Sequence, residues 1–211
     1  MGHPDFNPPG KPPKLTARTS TLTSLFFMTL TPYIEPSAEE VDEALSVLGM
    51  ERGQCVCAYC GDTKSEWDHF RAIVENRQPT GYITEIHNLV PACGKCNQSR
   101  GNKPWREWMV SAALHSPKSR GKLDIERRMT HLEAYERWST PIRLDYGALA
   151  GDHQWAQHLK NRDQVIEWLK NAERLAGAIR SKAEEEARRQ RSTNENQEDN
   201  NTVYGTELKR T

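Results

Sequence analysis

Cys57-Ala-Tyr-Cys60-Gly61, then Trp67-Asp68-His69-Phe70, then Asn88-Leu-Val-Pro-Ala-Cys93-Gly-Lys-Cys96-Asn97-Gln-Ser-Arg100-Gly-Asn-Lys103: the rest of the chain is arranged about these residues. Two C-x-x-C pairs, 33 positions apart, bracket a lone Asp-His. Tight pairs of cysteines favour metal over a disulfide framework. Four thiolates close a tetrahedral zinc site with no open position, so such a site holds the fold and does no chemistry. Its binding free energy, on the order of 10 kcal/mol or more, substitutes for hydrophobic core. Gly61 directly after the second cysteine allows the tight turn that aims backbone N–H groups at the sulfurs. Cys55 is the fifth cysteine. Read as a buried free thiol rather than a substitute ligand for Cys57, it stays outside the set, because only Cys57–Cys60 has the C-x-x-C spacing.

A core supplement fits the composition. The 211 residues suit one domain with attachments or two small ones, and only 36% are hydrophobic. With a mean hydropathy of −0.84, part of the chain is expected to be extended or disordered. Formal net charge is zero, so total charge gives no argument for a polyanionic partner. Its distribution says more. Residues 100–137 hold nine Lys/Arg against five Asp/Glu, and residues 35–51 hold six acids and no base. A local basic surface can hold phosphate in a neutral chain. The longest apolar run, Leu25 to Leu30, is too short to span a bilayer and comes after a Pro-rich start. No membrane partner and a reducing, cytoplasmic setting are therefore expected.

On the N-terminal side, Pro4, Pro8, Pro9, Pro12 and Pro13 make an extended arm, and Thr16–Thr31 reads as a strand. Ser37-x-x-Glu40 is a capping box for a helix through Val41, Ala44, Leu45 and Leu48, closed by Gly49. Glu66–Phe70 reads as a strand, Gln78–Gly81 as a turn, and Tyr82–Ile86 as the approach to a second strand. After Pro91 the chain turns helical through Cys96 and Asn97. Pro104 starts another helix through Trp105, Trp108 and Met109. Ser116–Gly121 is a basic loop that reads equally as a phosphate contact or a linker. Residues 122–138 are helical, with Ile125, Met129, Leu132 and Tyr135 on one stripe; residues 142–151 are irregular. His153 to Arg191 reads as one or two helices, with Val165, Ile166, Leu169, Ala172, Leu175, Ala176 and Ile179 at helical spacing, a packing or homodimer element. Residues 192–211 are polar low complexity and are expected to be disordered.

Asp68 and Asn97 each offer a side-chain oxygen, which suits a hard divalent cation such as Mg2+. His69 has an ordinary pKa near ~6.5, which suits a general base. Together they match the needs of phosphodiester hydrolysis: an activated water, neutralised phosphate charge and a stabilised leaving oxygen. Neighbours on a regular strand point to opposite faces, so the strand must end or bend at Asp68-His69 if both serve one phosphate.

The set C-x-x-C-G, D-H-F and N-L-V-P-A-C-x-x-C-N-x-x-R-G-N-K resembles the HNH endonucleases over about residues 53–108. The resemblance implies an α+β fold: a zinc-stapled ββα-metal core with mostly α-helical N- and C-terminal extensions. Residues 1–36 would be an extended or disordered arm, 37–108 the nuclease core with its leading helix, 109–191 a helical region and 192–211 a disordered tail. It implies a metal-dependent endonuclease that cuts DNA, expected to be double-stranded, in a restriction, phage, mobile-element or defence setting. His69 resembles the general base. Asp68 and Asn97 resemble ligands to catalytic Mg2+ or Mn2+, and Asn88 resembles the asparagine that braces the loop and orients the histidine. Arg100 and Lys103 would meet phosphate, with Arg100 where Lys is commoner. Cys57, Cys60, Cys93 and Cys96 would hold structural Zn2+. His87 does not match the position of the base. The competing reading is a non-catalytic zinc module that binds nucleic acid or protein; it assigns no task to Asp68, His69 and Asn97 together.

Overall fold

The computed structural model describes residues 10–207, with side chains as far as position 194. Pro4, Pro8 and Pro9 of the expected arm, and residues 208–211 of the expected tail, lie outside the described residues. The chain divides into two units. One is Ser20–His158; the other joins the described residues up to Thr19 with those from Leu159 onward.

The stretch read as a strand at Thr16–Thr31 is helical instead. A 3-10 turn at Leu15–Arg18 leads into α1 (Thr19–Met28). Thr23 and Phe27, four residues apart, are its buried positions, and Phe27 packs near Trp155 and His158. Tertiary packing at helical spacing has overridden the strand preference of threonine.

Helix α2 (Ala38–Val47) forms as the capping box requires. The Ser37 hydroxyl accepts from the Glu40 amide at 3.2 Å, and the Ser37 amide donates to the Glu40 carboxylate at 2.7 Å. The helix ends at Gly49, whose φ of +69° is left-handed and where a Cβ would run into the His131 ring. Ala44 and Leu48 enter the core.

The centre of the unit is a ββα arrangement. Strand β1 (Glu66–His69) pairs antiparallel with β4 (Leu89–Ala92) in the register Asp68↔Val90 and His69↔Leu89, and α3 (Gly94–Arg100) comes next. Between them, β2 (Val74–Glu75) and β3 (Gln78–Pro79) make a small hairpin. The turn expected at Gln78–Gly81 therefore falls earlier, at Asn76 and Arg77, whose φ values of 50° and 62° are those of a tight hairpin turn. The approach read at Tyr82–Ile86 passes through a 3-10 turn at Ile86–Asn88 before β4 begins.

Helices α4 (Trp105–Met109) and α5 (Ile125–Trp138) close the core. Trp108, Met109, Leu132 and Tyr135 are fully buried with Tyr59, Phe70 and Val90. Tyr135 shares its one hydroxyl proton between the carbonyls of Ile86 and Leu89, at 2.7 and 3.0 Å, and so braces the entry to β4. Packing thus continues past position 108: α5 shares one core with α2 and the cysteines.

Helix α6 (Tyr146–Glu207) begins inside the segment read as irregular and is interrupted at Gly151, φ 72°. It runs on through the residues read as a disordered tail. No Pro or Gly stands between Ala178 and Tyr204, and extending a helix is far easier than starting one. Among the described residues, no helix is long and apolar enough to cross a membrane.

Candidate metal centre and active site

Cys57, Cys60, Cys93 and Cys96 converge from two loops and the start of α3. Their sulfurs lie within 4.8 Å of one another and all four residues are buried. The Cys60–Cys93 separation is 3.7 Å. A tetrahedral ion with bonds of about 2.3 Å spaces its sulfurs by about 3.8 Å, so the cluster has the size of a zinc site. Gly61, φ +76°, makes the first turn, and its amide donates to the Cys57 carbonyl at 2.8 Å. Hydrogen bonding from the Cys57 thiol pulls Cys60 far below the ordinary thiol range. The same sharing pushes Cys57 up to about 12 and Cys96 higher still. Such a cluster of buried sulfurs is relieved by a cation. Cys55 is half-buried and outside the cluster; burial raises its thiol.

The basic loop read as a phosphate contact or a linker has a different place. Arg120 reaches Cys96 Sγ at 3.5 Å and pairs with Asp62, and Lys122 pairs with the same carboxylate. The Arg120 charge faces the sulfurs, and Lys118 of the same loop is exposed.

Asp68 and His69 are the last two residues of strand β1. The Asp68 carboxylate is buried. Its Oδ2 accepts from the Tyr59 hydroxyl at 2.8 Å and from Arg100 Nε at 2.7 Å; its Oδ1 accepts from Arg100 Nη2 at 2.9 Å. Arg100 also donates to the carbonyls of His69 and Phe70. With 4% of its side chain exposed, the guanidinium has no face for phosphate, contrary to the sequence expectation. It is the counter-charge of Asp68 and ties α3 to the end of β1. Neither Tyr59 nor this role of Arg100 is legible in the sequence: Tyr59 reads as a spacer between two cysteines, and Arg100 matches a surface position of the family pattern.

The His69 ring is half-buried. Its Nε2 lies 2.8 Å from Thr84 Oγ1, and among the described residues its Nδ1 has no partner. Burial lowers its pKa, opposed by the Asp68 charge and assisted by Arg100, so the ring is held neutral and able to accept a proton. Asn88 is fully buried. Its Oδ1 accepts from the Arg71 amide at 2.8 Å, and its Nδ2 donates to the carbonyls of Arg71 and Ile83 at 3.1 and 3.2 Å. One side chain thereby ties both ends of the loop that comes after His69. His87 instead stacks on Trp138, with ring centroids 4.4 Å apart.

Asn97 precedes Arg100 by three residues on α3, so both lie on the same side of the helix. Among the described residues its side-chain amide makes no hydrogen bond, and it is half-buried. Lys103 is exposed beyond the end of α3 and donates to the Ser99 carbonyl at 2.6 Å. A carboxylate offers about four lone-pair sites, of which three are taken at Asp68; one remains on Oδ1. That oxygen and the Asn97 side-chain carbonyl are each hard donors of the kind Mg2+ or Mn2+ take, ions that complete their shells with water.

Residues 57–103 match the family model described as HNH endonuclease. A 92-residue alignment at 33% identity relates the chain to the CRISPR-associated endonuclease Cas9 of Corynebacterium diphtheriae, over 36% of this chain and 8% of that protein. No solved structure matches. The antiparallel strand pair, the helix after it and the cysteine cluster agree with the family match, and residues 57–103 are an HNH endonuclease-family domain within an α+β chain.

Proposed function

We propose that this chain is a metal-dependent endonuclease that hydrolyses phosphodiester bonds of double-stranded DNA. The observation that carries the reading is His69 at the end of β1, next to Asp68 in the chain, anchored through Nε2 and with Nδ1 unpartnered among the described residues. His69 Nδ1 takes a proton from water as the water oxygen bonds to phosphorus and the bridging P–O bond breaks. Asp68 Oδ1 and the Asn97 carbonyl would hold Mg2+ or Mn2+, which supplies charge neutralisation on phosphate and the leaving oxygen. Asn88 holds the loop rigid around the base. Lys103, exposed, offers charge to phosphate. Cys57, Cys60, Cys93 and Cys96 hold structural Zn2+ and take no part in the reaction. The apolar stripe from Val165 to Ile179 on α6 is the element we assign to self-association.

The test is nicking and linearisation of supercoiled plasmid with Mg2+ or Mn2+. His69→Ala should lower the rate by roughly 10²–10⁴-fold, the range of general-base contributions, with zinc content and thermal midpoint unchanged. Cutting at the full rate by that variant removes His69 from its role. One observation favours a non-catalytic module instead: Asp68 is already held by Arg100 and Tyr59. DNA binding without cleavage across several divalent ions would be its signature. A map of cut sites separates restriction, with clustered cuts, from a nicking or helper role, with scattered ones.

A further inference from the structure

Thr84 lies in the stretch whose sequence reads as the approach to a strand, and its backbone is held on both sides. Its amide donates to the Pro32 carbonyl at 3.1 Å, and its carbonyl accepts from the Ile34 amide at 3.0 Å, a parallel bridge centred on Tyr33 and Thr84. The preceding carbonyl, that of Ile83, accepts from Asn88 Nδ2 at 3.2 Å. Tyr33 and Ile34 leave 63% and 45% of their surface exposed, so burial of their side chains is not what keeps residues 32–34 there. The main-chain bonds to Thr84 are. These constraints fix one hydroxyl in space, 2.8 Å from His69 Nε2.

We infer that Thr84 is a positioning residue for His69, and that residues 32–34, outside the family match, belong to the active site by holding Thr84. The inference rests on the reading of His69 as the base. A neutral imidazole carries one N–H. A hydroxyl fixed at Nε2 can accept that proton or donate to the bare nitrogen; we assign it as the acceptor, which makes the ring the Nε2–H tautomer and leaves the Nδ1 lone pair for water. It also stops the ring from turning. Without it the ring samples both tautomers and both flips, and the base is often absent from its place. The effect therefore falls on turnover, not on substrate binding.

The experiment compares the full-length chain with Thr84→Val, Thr84→Ser, Ile34→Pro and His69→Ala. Long-range 1H–15N correlation of the histidine rings, without substrate, should show His69 as the Nε2–H tautomer in the parent and in Thr84→Ser, and a mixture in Thr84→Val. In plasmid cleavage, Thr84→Val should lower kcat by ~10–100-fold with KM within about 2-fold, the scale expected for a misplaced group, while Thr84→Ser stays within about 3-fold of the parent. Ile34→Pro removes the donor to the Thr84 carbonyl and leaves every site side chain in place; it should lower kcat in the same way, and it carries the test if Thr84→Val does not fold. Full kcat and an unchanged tautomer in Thr84→Val overturn the role of Thr84; full kcat in Ile34→Pro overturns that of residues 32–34. If His69→Ala is inactive and Thr84→Val is not, only the positioning inference falls. If His69→Ala cuts at the parent rate, the base assignment falls, and the tautomer measurement still decides whether Thr84 sets the ring.

Discussion

Arg100 turns its charge inward and meets Asp68 with two nitrogens. The pair is buried, and the Tyr59 hydroxyl completes the carboxylate. Removing one partner of such a pair strands the other. Arg100→Met should therefore destabilise the fold by about 3–5 kcal/mol, measured by denaturant unfolding. Arg100→Lys should recover little of it, because an ammonium cannot reproduce the two-pronged contact and the bonds to the His69 and Phe70 carbonyls. Lys103 differs in kind. Exposed at the end of α3, it can meet phosphate, so Lys103→Ala should leave stability unchanged and reduce the slope of log affinity against log salt by about 1.

Among helices, strands and loops, the cysteine pairs clamp the ββα arrangement, and the loop after α4 clamps the cysteines. Arg120 sets its guanidinium against Cys93 and Cys96, and Asp62 holds it from the other side. Four thiolates around a divalent ion carry a net charge of about −2, which a neighbouring cation offsets. Arg120→Ala should thus speed the transfer of zinc to a colorimetric chelator several-fold, and Arg120→Lys should lie between. An unchanged rate would assign the loop to Asp62 alone.

The division of the full chain into two units makes a distinct expectation. The core of Ser20–His158 contains the cysteine cluster, together with Trp105, Trp108 and Tyr135. Stripping zinc removes on the order of 10 kcal/mol from that core. Near-UV circular dichroism, which reports the packed aromatics, should collapse on chelation. Far-UV helicity should fall by less, because much of α6 lies outside that unit. Loss of both signals in proportion would show that the two units melt as one.

Features that depend on spacing and local chemistry were legible from the residues alone. Paired cysteines around a tight glycine specify a tetrahedral cluster wherever the chain brings them together. Ser37 and Glu40 are three residues apart and find each other within one helical turn. The order strand, loop, strand, helix could be read from Glu66 to Arg100, with the first strand at Glu66–Phe70 one residue longer than it is. Which polar groups became partners was settled only by folding. Arg100 reads as a surface cation because nothing in its neighbourhood along the chain says that Asp68 and Tyr59 lie beneath it. Thr84 reads as part of the approach to a strand until Pro32 and Ile34 come alongside it. Arg120 reads as a loop charge until the cysteines gather next to it. A hydrogen bond across 24 to 58 residues of chain leaves no periodicity to read; it exists only once the core has folded and brought donor and acceptor together.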